Sequence, residues 1–341
     1  MKKLTALLLA LVMIFSLTAC DGTGGETDGG NSSGESAAWT EKNVEVQLAA
    51  AAGGGTDVVG RALTNYINQQ GEHNLTIINN TDGGGVVAFE NVRNSDPEKA
   101  DTLLFFHTTM IIKTASHIYD KSATEDFTVI TVAEPSDPGS YILVVPADSP
   151  YQTMEEFDAA VKENPGEILC GVETGGSSHV MSGLLAQAIG GEMSFVEAGS
   201  DTEKMTALMS GSIDCAIVNA NSSAQYIEAG KAIGLGCFST SNEGGRSSIL
   251  PDVPSFIELG YEDLSFALKF FVLGPKGMDP AVCEEIADAF IAAAEDPATQ
   301  EILTNAGQAC TFLPYEESLA VVQAQVDQLT PVVEALGLVQ D

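Results

Sequence analysis

Short apolar segments alternate with segments of helical periodicity along most of the chain. Residues 44–48 alternate apolar and polar side chains as a strand does, and apolar residues then recur at helical spacing over 58–67. Three glycines at 53–55 separate the two segments. The same order of strand, glycine-rich loop and helix returns at 75–94 and at 167–189. This alternation predicts an α/β architecture with mostly parallel sheets and right-handed crossovers.

The other elements follow the same patterns. Further strands are predicted at 101–106, 127–133, 141–145, 194–196, 213–218, 232–238 and 310–313, and further helices at 154–162, 201–210, 223–229, 298–306 and 316–336. The apolar run 264–273 is longer than one sheet usually requires, so we expect it to pass between domains. The length from residue 44 onward provides two ordinary domains or one large one.

The loop at 53–55 is a candidate anion site. Its glycines lack Cβ atoms, so a ligand can approach the backbone, and Thr56 is a candidate N-cap for the helix that follows. The unpaired N–H groups and the dipole of that helix would favour an anion, although Asp57 lies in the same turn. Neither the P-loop nor the dinucleotide fingerprint is matched. The alternative is a flexible turn without a ligand.

The first twenty residues resemble a bacterial lipoprotein signal. Lys2 and Lys3 precede an apolar stretch at 4–17, and Leu-Thr-Ala-Cys ends at Cys20. The resemblance implies removal of residues 1–19, lipidation of Cys20 and attachment to the outer face of the cytoplasmic membrane, followed by a polar linker to residue 42. The alternative is an ordinary secretory signal with an incidental cysteine. No later segment is long and apolar enough to cross a bilayer.

Charge and cysteine content exclude several classes of function. The chain has 14 Lys and Arg against 48 Asp and Glu, a net charge of −34, so nucleic acid is not an expected partner. An anionic ligand would enter against this field, and only local donors could hold it. Five cysteines besides Cys20 show no C-x-x-C spacing, and Cys170, Cys215 and Cys237 are predicted to be small buried apolar residues.

Catalysis and metal binding have little support in the sequence. Ser178 and His179 suggest a hydrolase, but adjacent helical residues point apart and no G-x-S-x-G motif is present. The four histidines lack metal-ligand spacing. We therefore expect a protein that is not an enzyme and that has no metal and no cofactor.

Four segments carry a resemblance to a known family: 52–63, 101–104, 176–179 and 250–255. Together they resemble the substrate-binding proteins of tripartite tricarboxylate transporters, the TctC or Bug family of extracytoplasmic solute receptors, over about residues 44–338. The resemblance implies a two-domain clamshell of the periplasmic-binding-protein type II kind. Domain 1 would comprise 43–140 and 264–341, and domain 2 would comprise 141–263.

The resemblance also implies a set of ligand-binding residues, carried over by position. They are Gly54, Gly55, Thr56 and Asp57 in the first loop, His107 and Thr108 after the middle strand, Gly176, Ser177, Ser178 and His179 in the second-domain loop, and Asn219 after a later strand. This chain departs from the family at Val218, where an Asp is usual, and at Lys269, where an aromatic residue is usual. Both changes make the pocket less negative, unless Lys269 extends to solvent.

The function expected from this resemblance is capture of a small organic anion, mostly a di- or tricarboxylate, between the two domains. Delivery to the transmembrane permease subunits of a tripartite tricarboxylate transporter would follow. The alternative is a sensory lipoprotein that presents the bound ligand to a signalling partner. Both functions need the same cleft, so the sequence leaves them open, together with the identity of the carboxylate.

Overall fold

Two β-sheets, one of six strands and one of five, form the centre of the structure. The structure is a computed structural model and describes residues 38–340. The predicted signal peptide, the lipidation site at Cys20 and most of the predicted linker lie outside the described residues. None of the helices within 38–340 combines the length and apolar character that crossing a bilayer requires.

The six-stranded sheet has the order β11-β4-β10-β3-β1-β2. Its strands are β1 (Asn43–Leu48), β2 (Asn74–Asn79), β3 (Thr102–His107), β4 (Phe127–Pro135), β10 (Phe270–Pro275) and β11 (Cys310–Phe312). The helices that belong with it are α1 (Gly55–Gln70), α2 (Val86–Arg93), α3 (Thr109–Ala115), α8 (Pro280–Glu295), α9 (Pro297–Asn305) and α10 (Tyr315–Ala335). We call this sheet with these helices lobe 1.

The five-stranded sheet has the order β7-β6-β8-β5-β9. Its strands are β5 (Gly139–Pro146), β6 (Leu169–Val172), β7 (Ser194–Glu197), β8 (Cys215–Asn219) and β9 (Ala232–Ser239). Its helices are α4 (Met154–Glu163), α5 (Ser177–Ile189), α6 (Asp201–Met209) and α7 (Ala220–Glu228). We call this sheet with its helices lobe 2. The exact domain boundaries stay a prediction.

Both sheets are mixed, and in each of them most strands run in one direction, as predicted: β1, β2, β3 and β4 do so in the first sheet, and β6, β7, β8 and β9 do so in the second. β1 pairs in parallel with β2 and β3, and β6 does so with β7 and β8, but every pairing of β4, β5 and β10 is antiparallel. Phe270, at the start of β10, pairs with His107, at the end of β3. Tyr141, near the start of β5, pairs with Asn219, at the end of β8. A strand that enters beside the carboxyl end of its neighbour must run antiparallel to it.

The apolar run 264–273 connects the two lobes, as its length suggested. Ser265 forms a bridge with Ser239 at the end of β9 in lobe 2. Four residues later, the carbonyl of Lys269 accepts a hydrogen bond from the backbone N–H of Thr108 at 3.1 Å, and β10 begins in lobe 1. The chain crosses in the other direction between β4 and β5, where Ser136 N donates to Ala309 O at 2.7 Å.

Burial follows the strand pattern of the sequence. Leu103, Leu104, Phe105 and Phe106 of β3 are all buried, as expected of a strand covered on both faces. One apolar cluster contains the core of lobe 1 and continues onto the α5 face of the lobe 2 sheet, and a second covers the opposite face of that sheet. Cys170, Cys215 and Cys237 are buried and free, which confirms their prediction as small apolar residues.

The N-terminal end of the described chain is fixed to lobe 1. Trp39 is buried, and its ring stacks on His73 with the centroids 3.7 Å apart. Its indole N–H donates to the carbonyl of Ala100 at 3.3 Å, and its backbone N–H donates to Glu285 at 2.7 Å. Stacking and two hydrogen bonds hold this residue against the elements that precede β2 and β3 and against α8.

Phe271→Ala tests the central position of β10. Phe271 is fully buried between Phe106 of β3 and Val132 of β4, so its truncation leaves a cavity. We expect the free energy of unfolding, measured by denaturant titration, to fall by about 3–5 kcal/mol. Phe195→Ala is the control, because Phe195 is 37% exposed on the edge strand β7, and about 1 kcal/mol or less is expected there. Equal losses in the two variants would contradict this packing.

Candidate functional site

The candidate site lies where strand ends from the two lobes meet the crossing segments. β3 ends at His107, β6 at Val172 and β8 at Asn219, and the first residues of β10 and β5 pair beside two of these ends. In α/β sheets, ligands bind outside the carboxyl ends of the parallel strands. The loops that follow these strands carry most of the residues predicted from the sequence.

A pair of buried hydroxyl groups connects the lobes at the starts of α3 and α5. The Thr109 and Ser177 hydroxyl oxygens lie 2.9 Å apart, and the backbone N–H of Ser177 donates to Thr109 Oγ1 at 3.2 Å. Both residues are almost fully buried. Ser177 is therefore an interlobe residue, and Thr109, which sequence reasoning missed, is its partner.

Asn219 forms a second connection between the lobes. Its side-chain amide donates to the carbonyl of Gly307 in lobe 1 at 3.1 Å, and its side-chain oxygen accepts from Asn221 N at 2.9 Å. Its backbone N–H donates to Asp201 at 2.9 Å. Every polar group of this buried side chain is thus engaged by the protein.

An ion pair between Lys113 and Glu173 forms a third connection. Lys113 Nζ lies 3.2 Å from Glu173 Oε1; the Lys113 side chain is 4% exposed and that of Glu173 is 35% exposed. A Cβ atom added at Gly84 would lie 3.4 Å from Lys113 Nζ, so the second glycine loop also adjoins the ammonium group. Sequence reasoning missed Lys113. The available signal was a single cation after the apolar residues 110–112 in a helix that follows a buried strand.

Asp57 holds the first glycine loop in place. Its buried carboxylate accepts hydrogen bonds from Gly53 N at 2.9 Å, from Arg61 Nε at 2.9 Å and from Asn79 Nδ2 at 2.8 Å. Burial alone would raise the pKa of Asp57, but these hydrogen bonds outweigh it and hold the pKa below its ordinary value. Asp57 therefore holds the loop, and its contact with a ligand stays a prediction.

The first glycine loop is exposed but remains close to the crossing region. Gly53, Gly54 and Gly55 are all exposed. A Cβ atom at Gly55 would lie 3.5 Å from the side-chain amide of Gln308. Gln308 in turn lines a cavity of about 10 Å³ between the lobes, bounded by Pro135, Ser140, Tyr141, Thr240, Phe266, Leu268, Phe270, Ala309 and Cys310. That volume holds about one water molecule.

The expected N-cap role of Thr56 is wrong. Helix α1 begins at Gly55, its N-cap is Gly54, and Thr56 lies within the first turn. No side chain caps α1; the Asp57 carboxylate accepts from Gly53 N, which precedes the helix, and so leaves the N–H groups of the first turn without a side-chain partner. Glycine also caps α5: Gly176 is the N-cap, and the Ser178 hydroxyl accepts from Glu173 N at 2.9 Å instead of capping the helix.

Thr108 connects three elements of lobe 1. Its hydroxyl donates to Gln325 Oε1 of α10 at 3.1 Å and accepts from Lys269 N at 2.9 Å. The side chain is fully buried. The structure therefore gives Thr108 a supporting role beneath the strand end. Lys269 itself forms an ion pair with Glu134, which offsets the positive charge expected of it in the pocket.

His107 is held in its neutral form. Its ring packs on Phe106 with the centroids 4.2 Å apart and meets the edge of Phe270. Burial, together with the nearby charge of Lys113, lowers the pKa of His107 to about 3. Its Nδ1 accepts from Thr109 N at 3.3 Å. The imidazole can therefore exchange hydrogen bonds in the site but contributes no positive charge near neutral pH.

Ser178 and His179 are engaged separately. His179 Nδ1 accepts from Gly175 N at 3.2 Å, and its ring meets Phe195 edge to face at 4.8 Å. Burial lowers the pKa of His179. Since Ser178 accepts from Glu173 N, each side chain stabilises the loop 173–176. These contacts give both side chains a role in holding the loop, so neither has to be interpreted as a nucleophile or as its base.

Fold and site together define a two-lobed α/β protein in which strand ends and helix starts meet between the lobes. Its structure is similar to that of the periplasmic binding protein BugD, with a TM-score of 0.76, 22% identity, and coverage of 88% of this chain and 99% of BugD. It is also similar to the R. palustris structure described as Rpa4515 with adipate, with a TM-score of 0.76, 19% identity, and coverage of 88% and 98%. The two-domain fold of periplasmic binding proteins is thereby confirmed.

The family follows from the sequence match. Residues 59–338 match the family described as TctC, the tripartite tricarboxylate transporter family receptor, and the chain belongs to this family. A curated relative, the UPF0065 protein in the gbd 5′ region of Cupriavidus necator, is 26% identical over 299 residues, which are 87% of this chain and 88% of that protein. The resemblance stated from the sequence is confirmed, and membership of this receptor family implies an extracytoplasmic location.

Asp57→Ala tests the role of the carboxylate in the first loop. The change removes the acceptor shared by Gly53 N, Arg61 and Asn79, so we expect a loss of about 1–3 kcal/mol in the free energy of unfolding at pH 7. Denaturant titration measures it. Asp82→Ala is the matched control, because Asp82 is an exposed carboxylate in the second glycine loop and its loss should change stability by less than about 0.5 kcal/mol. A neutral Asp57→Ala variant would contradict the role given to Asp57.

His107→Gln tests the neutral state of the imidazole. The unfolded chain binds a proton at the ordinary His pKa of 6.5, whereas the folded protein does so at about 3. Folding stability is therefore lost as the pH falls between these values, by up to about 1.4 kcal/mol per pH unit. The variant lacks this proton uptake, so its stability relative to wild type should rise as the pH falls from about 6.5 towards 4. Parallel stability profiles in denaturant titrations would contradict a neutral His107.

Proposed function

We propose that this protein captures a small organic carboxylate between its two lobes and delivers it to the permease subunits of a tripartite tricarboxylate-type transporter. A lipid on Cys20 would hold it at the outer face of the cytoplasmic membrane. The observation that carries the proposal is the set of interlobe contacts at the strand ends. With the lobe 1 residue named first, these contacts are Thr109 with Ser177, Lys113 with Glu173, and Gly307 with Asn219.

These contacts provide a mechanism for ligand-dependent closure. Each joins a polar group of lobe 1, on helix α3 or in the connection from α9 to β11, to a polar group of lobe 2 that lies at or just after the end of β6 or β8. A ligand that contacts both lobes only when they are together shifts the population towards the closed arrangement. The crossing segments at 136–138 and 264–269 are the connections about which such a movement would occur.

The charge distribution supports an anionic ligand. The chain carries a net charge of −34, so attraction of an anion depends on local groups. Lys113 supplies a buried positive charge between the lobes, and the backbone N–H groups at the starts of α1 and α5 supply oriented donors. The similar structure Rpa4515 is described with adipate, a dicarboxylate. A small dicarboxylate is the ligand class that these observations favour.

No bond is made or broken in this function. The hydroxyl of Ser178 and the imidazole of His179 are each engaged within the loop 173–176, and His107 is held against two aromatic rings. The family consists of transporter receptors. Binding and release are sufficient for a protein that passes its ligand to a permease.

Ligand binding tests the proposal directly. Protein beginning at residue 21 is unfolded, freed of carried-over ligand, refolded, and heated with succinate, malate, glutarate, adipate or citrate. At about 100 times its dissociation constant, a bound ligand adds about 2.7 kcal/mol to stability, so the melting temperature should rise by several degrees for at least one acid. Calorimetry then measures the affinity.

The corresponding diamides, succinamide and adipamide, are the neutral controls, and neither should stabilise the protein. Hydrolysis of p-nitrophenyl acetate is followed in parallel. The receptor proposal is wrong if no carboxylate stabilises the protein and if the protein hydrolyses the ester in a way that the Ser178→Ala change abolishes. An enzymatic function would then replace it.

A further inference from the structure

We infer that Lys113 is the group that recognises a carboxylate of the ligand, and that Glu173 is an internal carboxylate that competes for the same position. This inference rests on the proposed function and identifies the residues that set its ligand class. It starts from the burial of Lys113, whose side chain is 4% exposed. A buried ammonium group is costly unless an opposite charge pairs with it.

The pairing of Lys113 depends on the contact between the lobes. Within residues 38–340, its ammonium donates one hydrogen bond, to Glu173 Oε1 at 3.2 Å. An ammonium group has three donors, so two N–H groups are available to a further acceptor. Lys113 lies on α3 of lobe 1, whereas Glu173 follows β6 of lobe 2. Separation of the lobes would therefore break this pair and return both charges to water.

The carboxylate of Glu173 occupies a position suited to a ligand carboxylate. A Cβ atom added at Gly176, the N-cap of α5, would lie 2.7 Å from Glu173 Oε2, so this carboxylate covers the start of a 13-residue helix. On its other side is Lys113. An anion placed here receives both the helix dipole and a full positive charge. Glu173 thus shows which chemical group the position accepts.

Neither of two other basic side chains near this pair, His107 and Lys269, offers a free positive charge to a ligand, which leaves Lys113 as its source. His107 is neutral near pH 7, because its pKa is lowered to about 3. Lys269 is paired with Glu134. Glu173 is 35% exposed and can turn towards solvent, whereas Lys113 is enclosed. A ligand carboxylate that replaces Glu173 would keep the buried charge neutral, and a neutral ligand would not.

Two substitutions test the inference, with succinate and adipate as probes. Lys113→Met removes the charge and keeps a long apolar side chain, so affinity for the dicarboxylate that wild type binds should fall at least tenfold. Glu173→Gln removes the competing charge, so affinity for the same acid should rise severalfold. The preference for adipate over adipamide should shrink in Lys113→Met and persist in Glu173→Gln.

Lys276→Met is the control for net charge, since Lys276 donates to the carbonyls of Thr124 and Phe127 in lobe 1 and takes no part in the interlobe pair. Its affinity should equal that of wild type. Circular dichroism verifies that each variant is folded, and if Lys113→Met is not, Glu173→Gln decides the question alone.

Three results would overturn the inference. Equal affinity in wild type and Lys113→Met would show that the ammonium does not meet the ligand. Weaker binding by Glu173→Gln would show that Glu173 contacts the ligand instead of competing with it. Failure of wild type to bind any acid of the panel would overturn the proposed function as well, whereas the first two results leave that function intact.

Discussion

The need to satisfy buried polar groups between the two lobes determines the arrangement of the site. Strand ends and helix starts leave backbone and side-chain groups that an apolar interface cannot cover. Here Thr109, Lys113 and Asn219 each find a partner in the opposite lobe. Because a partner can come from the protein or from a bound molecule, the proposed ligand would compete for the same groups that join the lobes.

Local sequence patterns were sufficient for much of the fold. Strands and helices were predictable because their periods are short, and the continuous apolar run of β3 indicated a strand buried on both faces. The direction of the crossing strands β5 and β10 was not predictable from such patterns. β5 and β10 run antiparallel to their neighbours because the chain reaches them from the other lobe, a non-local property that alternation of elements does not contain.

The candidate site was predictable at the level of loops and less so at the level of side chains. The glycine loops and Asn219 were placed correctly at strand ends, and Ser177 lies between the lobes. The usual residue preferences at N-caps led to the wrong role for Thr56, because α1 already begins at Gly55 and the Asp57 carboxylate accepts the hydrogen bond of Gly53 N in the loop. Lys113 was missed because its importance depends on Glu173, 60 residues away, and no local pattern reports such a pairing.

The fixing of Trp39 affects how force would act on the molecule. Its stacking on His73 and its hydrogen bonds to Ala100 and Glu285 attach the start of the described chain to lobe 1. Any pull exerted through the N-terminus is therefore borne by that lobe, while lobe 2 carries no load. If the proposed lipid on Cys20 anchors the chain and the proposed closure occurs, that movement would not displace the anchored lobe, so anchoring should leave the affinity for solute unchanged.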